Sequence, residues 1–129
     1  MLREKGLHKA YNCSELLIAL KQDKGLGNMH LLNFKELSGK QLVGMIDKGI
    51  DMKHNPKKYS EALKGKSCAL LFQKTSTRTR VSFEVAMTQL GGHALFIDWR
   101  TTNFALADIG DEVQYLSRNV DCIMARLLK

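Results

Sequence analysis

Several things are scarce or missing in this 129-residue sequence, and each shortage removes a class of protein. No apolar run approaches the roughly 20 residues that a membrane-spanning helix needs, so no membrane partner is expected. The three cysteines, Cys13, Cys68 and Cys122, lie far apart and form no CxxC pair. That argues against a disulfide framework and against a metal site. Two of them open apolar runs, "CALLF" and "CIMARLL", where a buried thiol behaves as a small hydrophobe. Neither GxxxxGK[ST] nor GxGxxG occurs, so the common nucleotide loops are excluded by pattern. The opening residues "MLREKGLHKA" lack the apolar core of a secretory signal. Glu4 and the scarcity of Arg and Ser count against an organelle-targeting segment, and a cytoplasmic location is expected. There is no internal repeat and no low-complexity segment.

What is present is the composition of a folded chain. With 44% hydrophobic and 26% charged residues, disorder is excluded, and the length fits one domain. The net charge of +7 raises the question of nucleic acid. Its distribution answers against it. Residues 1–66 carry 13 Lys/Arg against 7 Asp/Glu, and residues 67–129 carry 7 against 6. The excess is scattered lysine, as in "KHNPKKYSEALKGK", which reads as a solvated face. It also lacks the interleaved aromatics of a single-strand binder. No nucleic-acid partner is expected.

Two textures divide the chain. Residues 1–66 look helical and irregular. "SELLIALK" (Ser14–Lys21) is a short amphipathic candidate with Ser14 as N-cap, broken by "GLGN". "NFKELSGKQLVGMIDKGIDMKH" places Leu37, Leu42, Met45, Ile46 and Ile50 at near-helical spacing, and Asn55–Pro56 stops that helix. From Ser67 the texture alternates. "CALLFQ", "HALFIDW" and "DCIMARLL" have strand length. "TRTRVSFEVAMTQL" is helical and closed by Gly91–Gly92. "TTNFALA" reads as a loop, and "DIGDEVQYLSRNV" as a helix opened by Asp108 or Asp111. Strand, helix, strand, helix, strand predicts an α/β fold, a parallel sheet with flanking helices and right-handed crossovers. Three strands make a thin sheet, and a parallel sheet needs both faces covered. A fragment of a longer protein is therefore expected.

Ligands of open parallel sheets bind beyond the carboxyl ends of the strands. Three stretches meet that condition: "KTSTRTR", "WRTTNFALA" and Arg126. If the helix starts near Ser76–Thr77, the N–H groups of Thr77, Arg78 and Thr79 lack intrahelical partners. They stand at the positive end of the helix dipole, an arrangement that binds phosphate or carboxylate. The Ser76 and Thr77 hydroxyls add donors, and Arg78 adds a fork matched to phosphate oxygens. A hydroxyl residue ahead of a helix is also the ordinary N-cap, and that plainer reading stands beside the first. Arg80 and Glu84, four apart, read as a helix-face ion pair, and an i+2 neighbour of Arg78 points to a different side. Arg126 is either a surface charge or, if strands one and three are neighbours, a second cation converging with Arg78 on one anion.

"STRTRVSFE" followed by "AMTQLGGHALFID" resembles the aspartate/ornithine carbamoyltransferase family. The lysine two residues before "STRTR", and "MTQLGGHA" after it, are more similar to the ornithine branch. The resemblance covers about Phe34 to Lys129 and is strongest over 72–98. It implies an incomplete carbamoyl-phosphate-binding domain over residues 34–129, behind an N-terminal extension, partly helical, over residues 1–33. It implies that Ser76, Thr77, Arg78 and Thr79 bind carbamoyl phosphate, that Thr79 reaches the carbamoyl oxygen, and that Arg126 bridges phosphate and carbamoyl oxygen. Arg78, Thr79 and Arg126 are then the catalytic residues. The loop after strand two matches one that, in some members, closes the site of a neighbouring subunit.

The sequence departs from the family pattern in places. Gln73 stands where glutamate is usual, and Thr75 where other residues are common. The loop "TTNFALADIGDE" lacks the usual Gly–Glu–Ser/Thr run, so no residue is carried over from it. The His-Pro-x-x-Gln motif and the amino-acid-binding domain are absent from this stretch. The implied reaction is attack by the side-chain amine of ornithine on the carbamoyl carbon, releasing phosphate and giving citrulline. It needs no metal or organic cofactor, and none of these residues is a general base. The chain alone is expected to be inactive, and a homotrimer or multiple of trimers is expected of the whole enzyme. Another acceptor (aspartate, putrescine) or a non-catalytic phosphate-binding relative remains the alternative.

Overall fold

The computed structural model describes residues 30–128. The expected segment Ser14–Lys21 and Cys13 lie outside them. Asn33 caps a 3-10 turn over Phe34–Glu36. The long helix then starts afresh as α1, Gly39–His54. The restart comes from Ser38, whose extended backbone and hydroxyl form a capping box with Gln41. One continuous helical stretch from Asn33 is thereby divided. α1 stops ahead of Asn55–Pro56, and Pro56 opens the single turn α2, Pro56–Tyr59, where its missing N–H costs nothing.

The alternating half follows as expected: β1 (Ser67–Phe72), α3 (Thr77–Gln89), β2 (His93–Asp98), α4 (Ile109–Asn119) and β3 (Cys122–Arg126). Asp108 caps α4 by accepting from the N–H groups of Gly110 and Asp111. The stretch between β2 and α4 folds into two 3-10 turns, Trp99–Thr101 and Asn103–Ala105. They are closed on each other by the Trp99 and Phe104 rings at 5.2 Å. α3 ends in a Schellman turn: Gly92 N–H donates to Met87 C=O and Gly91 N–H to Thr88 C=O. Gly91 has φ +80°, and a Cβ there would meet the Ser60 carbonyl oxygen at 2.5 Å, so only glycine fits.

The three strands are parallel, in the order β2-β1-β3. β1 is central, and its side chains feed two cores. Cys68, Leu70 and Phe72 pack with Met52, Tyr59, Leu63, Phe83 and Met87 on the α3 side. Ala69 and Leu71 pack with Phe104 and Leu116 on the α4 side. This two-sided burial is why "CALLF" is uniformly apolar and not alternating. Burying Leu70, Leu71 or Phe72 stabilises the fold by about 2 kcal/mol each. Among the described residues no helix is long and apolar enough to cross a membrane.

The chain leaves β1 toward β2 over one face and returns to β3 over the other. The reversal puts a topological switch point between the carboxyl ends of β1 and β3, where open sheets hold ligands. The amino ends are closed instead. Asp121 accepts from Lys66 Nζ at 2.8 Å, Ser67 N–H at 2.9 Å and Ser67 Oγ at 3.3 Å. Lys66 above all, then the Ser67 N–H, holds its carboxyl down at about 2.

Candidate anion-binding site

β1 ends at Phe72, and Ser76 takes the N-cap position of α3 with extended φ −159° and ψ 98°. The first intrahelical bond runs from Arg80 N–H to Ser76 C=O at 3.0 Å. The N–H groups of Thr77, Arg78 and Thr79 therefore come before the first rung. The Ser76 side chain does not cap them. Its hydroxyl turns away and donates to Thr79 Oγ1 at 2.9 Å. Arg126 Nη1 donates to Ser76 Oγ at 3.2 Å and to Thr79 Oγ1 at 3.5 Å. The plainer capping role of Ser76 is thus not the one adopted. A serine that gives up its cap for an arginine 50 positions away leaves a helix N-terminus with its positive end open.

The sheet explains the convergence. Register pairs Phe72 with Arg126, so the last residue of β3 stands beside the exit from β1. The half-buried Arg126 reaches across to the turn. Thr79 Oγ1 accepts from both Ser76 and Arg126, which leaves its own proton to donate outward. Together these are a guanidinium, hydroxyls and helix-start amides, all able to donate, with no carboxylate bonded to them among the described residues. Chemically the arrangement suits an oxyanion.

Of the other expected residues, Thr77 and Arg78 lie exposed on the first turn of α3. Among the described residues the Arg78 side chain has no hydrogen-bond or ion-pair partner. Arg126 thus meets Ser76 and Thr79 at the turn; the expected convergence of Arg126 with Arg78 is not made by any contact among the described residues, and Arg78 stands beside the turn on the same helix. Arg80 is different. Its Nε donates to Glu84 at 2.9 Å, and its guanidinium lies 3.6 Å from the centre of the Phe96 ring. That is the structural role its i,i+4 spacing predicts.

A cleft of about 410 Å³ lies on the flank of the turn nearer β2, lined by Thr75, Ser76, Thr77, Arg80, Phe96 and Arg100 among others. Arg78 and Arg126 do not line it. Asp98, the last residue of β2, grips Arg100 through both oxygens at 3.1 and 2.8 Å. Arg100 holds the Asp98 carboxyl down at about 2. Sequence reading pointed to this loop without a residue; the acid and base two apart in "DWR" were the available signal. It marked Gln73 only as a departure from the family pattern and gave it no role; its N–H donates to Arg126 C=O at 2.9 Å and its Oε1 accepts from Leu128 N–H at 2.8 Å.

Residues 29–129 match the model of the aspartate/ornithine carbamoyltransferase, carbamoyl-P binding domain. The chain is 40% identical over 101 residues to a catabolic ornithine carbamoyltransferase of Halobacterium salinarum, covering 78% of this chain and 34% of the relative. It is 41% identical over 102 residues to an ornithine carbamoyltransferase of Methanocaldococcus jannaschii, covering 78% and 33%. Its fold is similar to the solved ornithine carbamoyltransferase of Pyrococcus furiosus, with TM-score 0.72, 39% identity, and coverage of 78% of this chain and 33% of that one. The chain spans about a third of the length of the curated relatives it matches.

Proposed function

The chain belongs to the aspartate/ornithine carbamoyltransferase family, and from that premise we propose that the switch-point site binds carbamoyl phosphate. The reaction it serves is transfer of the carbamoyl group to the side-chain amine of ornithine, giving citrulline. Ornithine is favoured over aspartate or putrescine by the names of the relatives. The observation that carries the reading is Arg126 Nη1 on both Ser76 Oγ and Thr79 Oγ1, at the uncapped start of α3.

In this reading the phosphate sits on the helix-start amides of Thr77, Arg78 and Thr79, with Ser76 and Thr77 hydroxyls and the unpaired Arg78 around it. Arg126 lies between phosphate and carbamoyl oxygen, and the free Thr79 proton donates to the latter. The amine nitrogen attacks the carbamoyl carbon and forms the new C–N bond. The C–O bond to phosphate breaks, the departing phosphate takes the electron pair, and the proton lost by the nitrogen goes to that phosphate. Fixed cationic donors placed where charge grows on the carbonyl and leaving oxygens lower that barrier, and holding the two substrates together supplies the rest. These residues include no general base. Residues 34–129 supply the carbamoyl-phosphate side of the site, and the chain alone is inactive. A cytoplasmic location, a homotrimer or multiple of trimers for the full-length protein, no nucleic-acid or membrane partner, and no need of a metal or cofactor belong to the same reading.

Calorimetric titration with carbamoyl phosphate tests it. The chain binds, and Arg126→Ala weakens binding by about 100-fold, the cost of a lost charge-assisted contact plus the disordered hydroxyls. Undiminished affinity in the Arg126→Ala variant contradicts the proposal. So does citrulline formation by the unaided chain.

A further inference from the structure

β1 and β3 do not leave the sheet together. The last register pair is Phe72 with Arg126, and Gln73 N–H still donates to Arg126 C=O at 2.9 Å. The next rung of a parallel ladder would join Leu128 N–H to the backbone carbonyl of Gln73. At Gln73 the chain bends away toward the anion turn. The Gln73 side chain fills the gap, its Oε1 accepting from Leu128 N–H at 2.8 Å. One residue thus holds β3 on both sides of Leu127, directly after Arg126. The Arg126 guanidinium depends on that backbone for its reach to Ser76 and Thr79.

We propose that Gln73 is a positioning residue for Arg126: its side-chain acceptor replaces the missing ladder rung and aims the arginine at the anion. The inference rests on the anion-binding reading above. What the position requires is an acceptor of the right length. A carboxylate of the same length can take the same N–H. The amide does so without adding a negative charge beside Arg126, so its charge stays available to an anion.

Inorganic phosphate is the probe, titrated into the 129-residue chain and into Gln73→Leu, Gln73→Glu, Arg126→Ala and the Gln73→Leu/Arg126→Ala double variant. Exchange of the Leu128 amide proton is followed in parallel. In Gln73→Leu, Leu128 exchange speeds up and phosphate binds about tenfold more weakly, as one lost net hydrogen bond warrants. Gln73→Glu keeps Leu128 protected and binds within about threefold of the parent. In the Arg126→Ala background Gln73→Leu adds no further loss, because a residue acting through Arg126 has nothing left to act on. Unchanged phosphate affinity in Gln73→Leu overturns the proposal. So does an equal loss in the Arg126→Ala background, which would mark a general structural role. Leu128 protection that persists in Gln73→Leu removes the bond on which it rests. No phosphate binding by the parent chain contradicts the anion reading itself, and this inference falls with it; the parent arm separates the two failures.

Discussion

The amino ends of the sheet and the carboxyl ends of β1 and β3 use the same kinds of residue in opposite ways. At the amino ends Lys66, Ser67 and Asp121 bond one another, and Gly91 and Gly92 close α3 tightly against Ser60, Leu63 and Lys66. Charge there is neutralised within the fold. At the carboxyl ends of β1 and β3, among the described residues, Arg126 meets hydroxyls and no carboxylate, and the Arg78 side chain has no partner. The contrast repeats inside α3. Arg80 is paired with Glu84 and stacked on Phe96, while the Arg78 side chain, two residues earlier, has no such partner among the described residues. A cation held by an acid serves the fold; a cation held by hydroxyls and amides is available to an anion.

The comparison can be broken most forcefully at Gly91. Gly91→Ala forces a Cβ into the Ser60 carbonyl at positive φ and lowers stability by about 3 kcal/mol. Phosphate affinity of the folded fraction stays unchanged. Thermal melts and titration below the melt read the two separately, and lost affinity would show that the ends are not independent. Next comes Arg78→Ala, which weakens carbamoyl-phosphate binding by about 30-fold, as expected for a charged contact, and leaves the melting temperature within about a degree. Arg80→Ala does the reverse: its half-exposed ion pair and ring contact contribute about 0.5–1 kcal/mol, and affinity holds. Equal binding losses in the two variants would erase the distinction between them.

The smallest effect is on acid stability. Asp121 titrates at about 2 in the fold, below the ordinary 3.8. A depressed carboxyl stabilises the fold above its unfolded value and loses that contribution as pH falls toward 2. Stability therefore drops between about pH 4 and pH 2. Asp121→Asn flattens that drop in acid-titration melts while leaving phosphate binding at neutral pH alone. An unaltered acid profile would show that the amino-end cluster does not hold β1 to β3.

Much of this was legible in the residues, for identifiable reasons. The strands and α3 show because β1 is buried on both faces, which makes "CALLF" continuous, and because Gly91–Gly92 can end a helix as few other pairs can. Arg80 shows because i,i+4 spacing is a local rule. Harder to read were features that depend on contacts distant in sequence. Ser76 has every local mark of an N-cap; only Arg126, brought alongside by the β1–β3 register, turns its hydroxyl elsewhere. Gln73 looks like a neutral substitution until the bend after Phe72 leaves Leu128 N–H in want of an acceptor. The break between Phe34–Glu36 and α1 was marked by the capping pair Ser38 and Gln41, but apolar spacing ran across it.

The most direct test of the central claim follows the backbone amide resonances of the chain during titration with carbamoyl phosphate. The uncapped start of α3 predicts saturable shifts at Thr77, Arg78 and Thr79, with the Arg126 side chain moving alongside them, all lost in Arg126→Ala. Shifts confined to the lysine-rich stretch from Lys53 to Lys66, with the three helix-start amides unmoved, would contradict it.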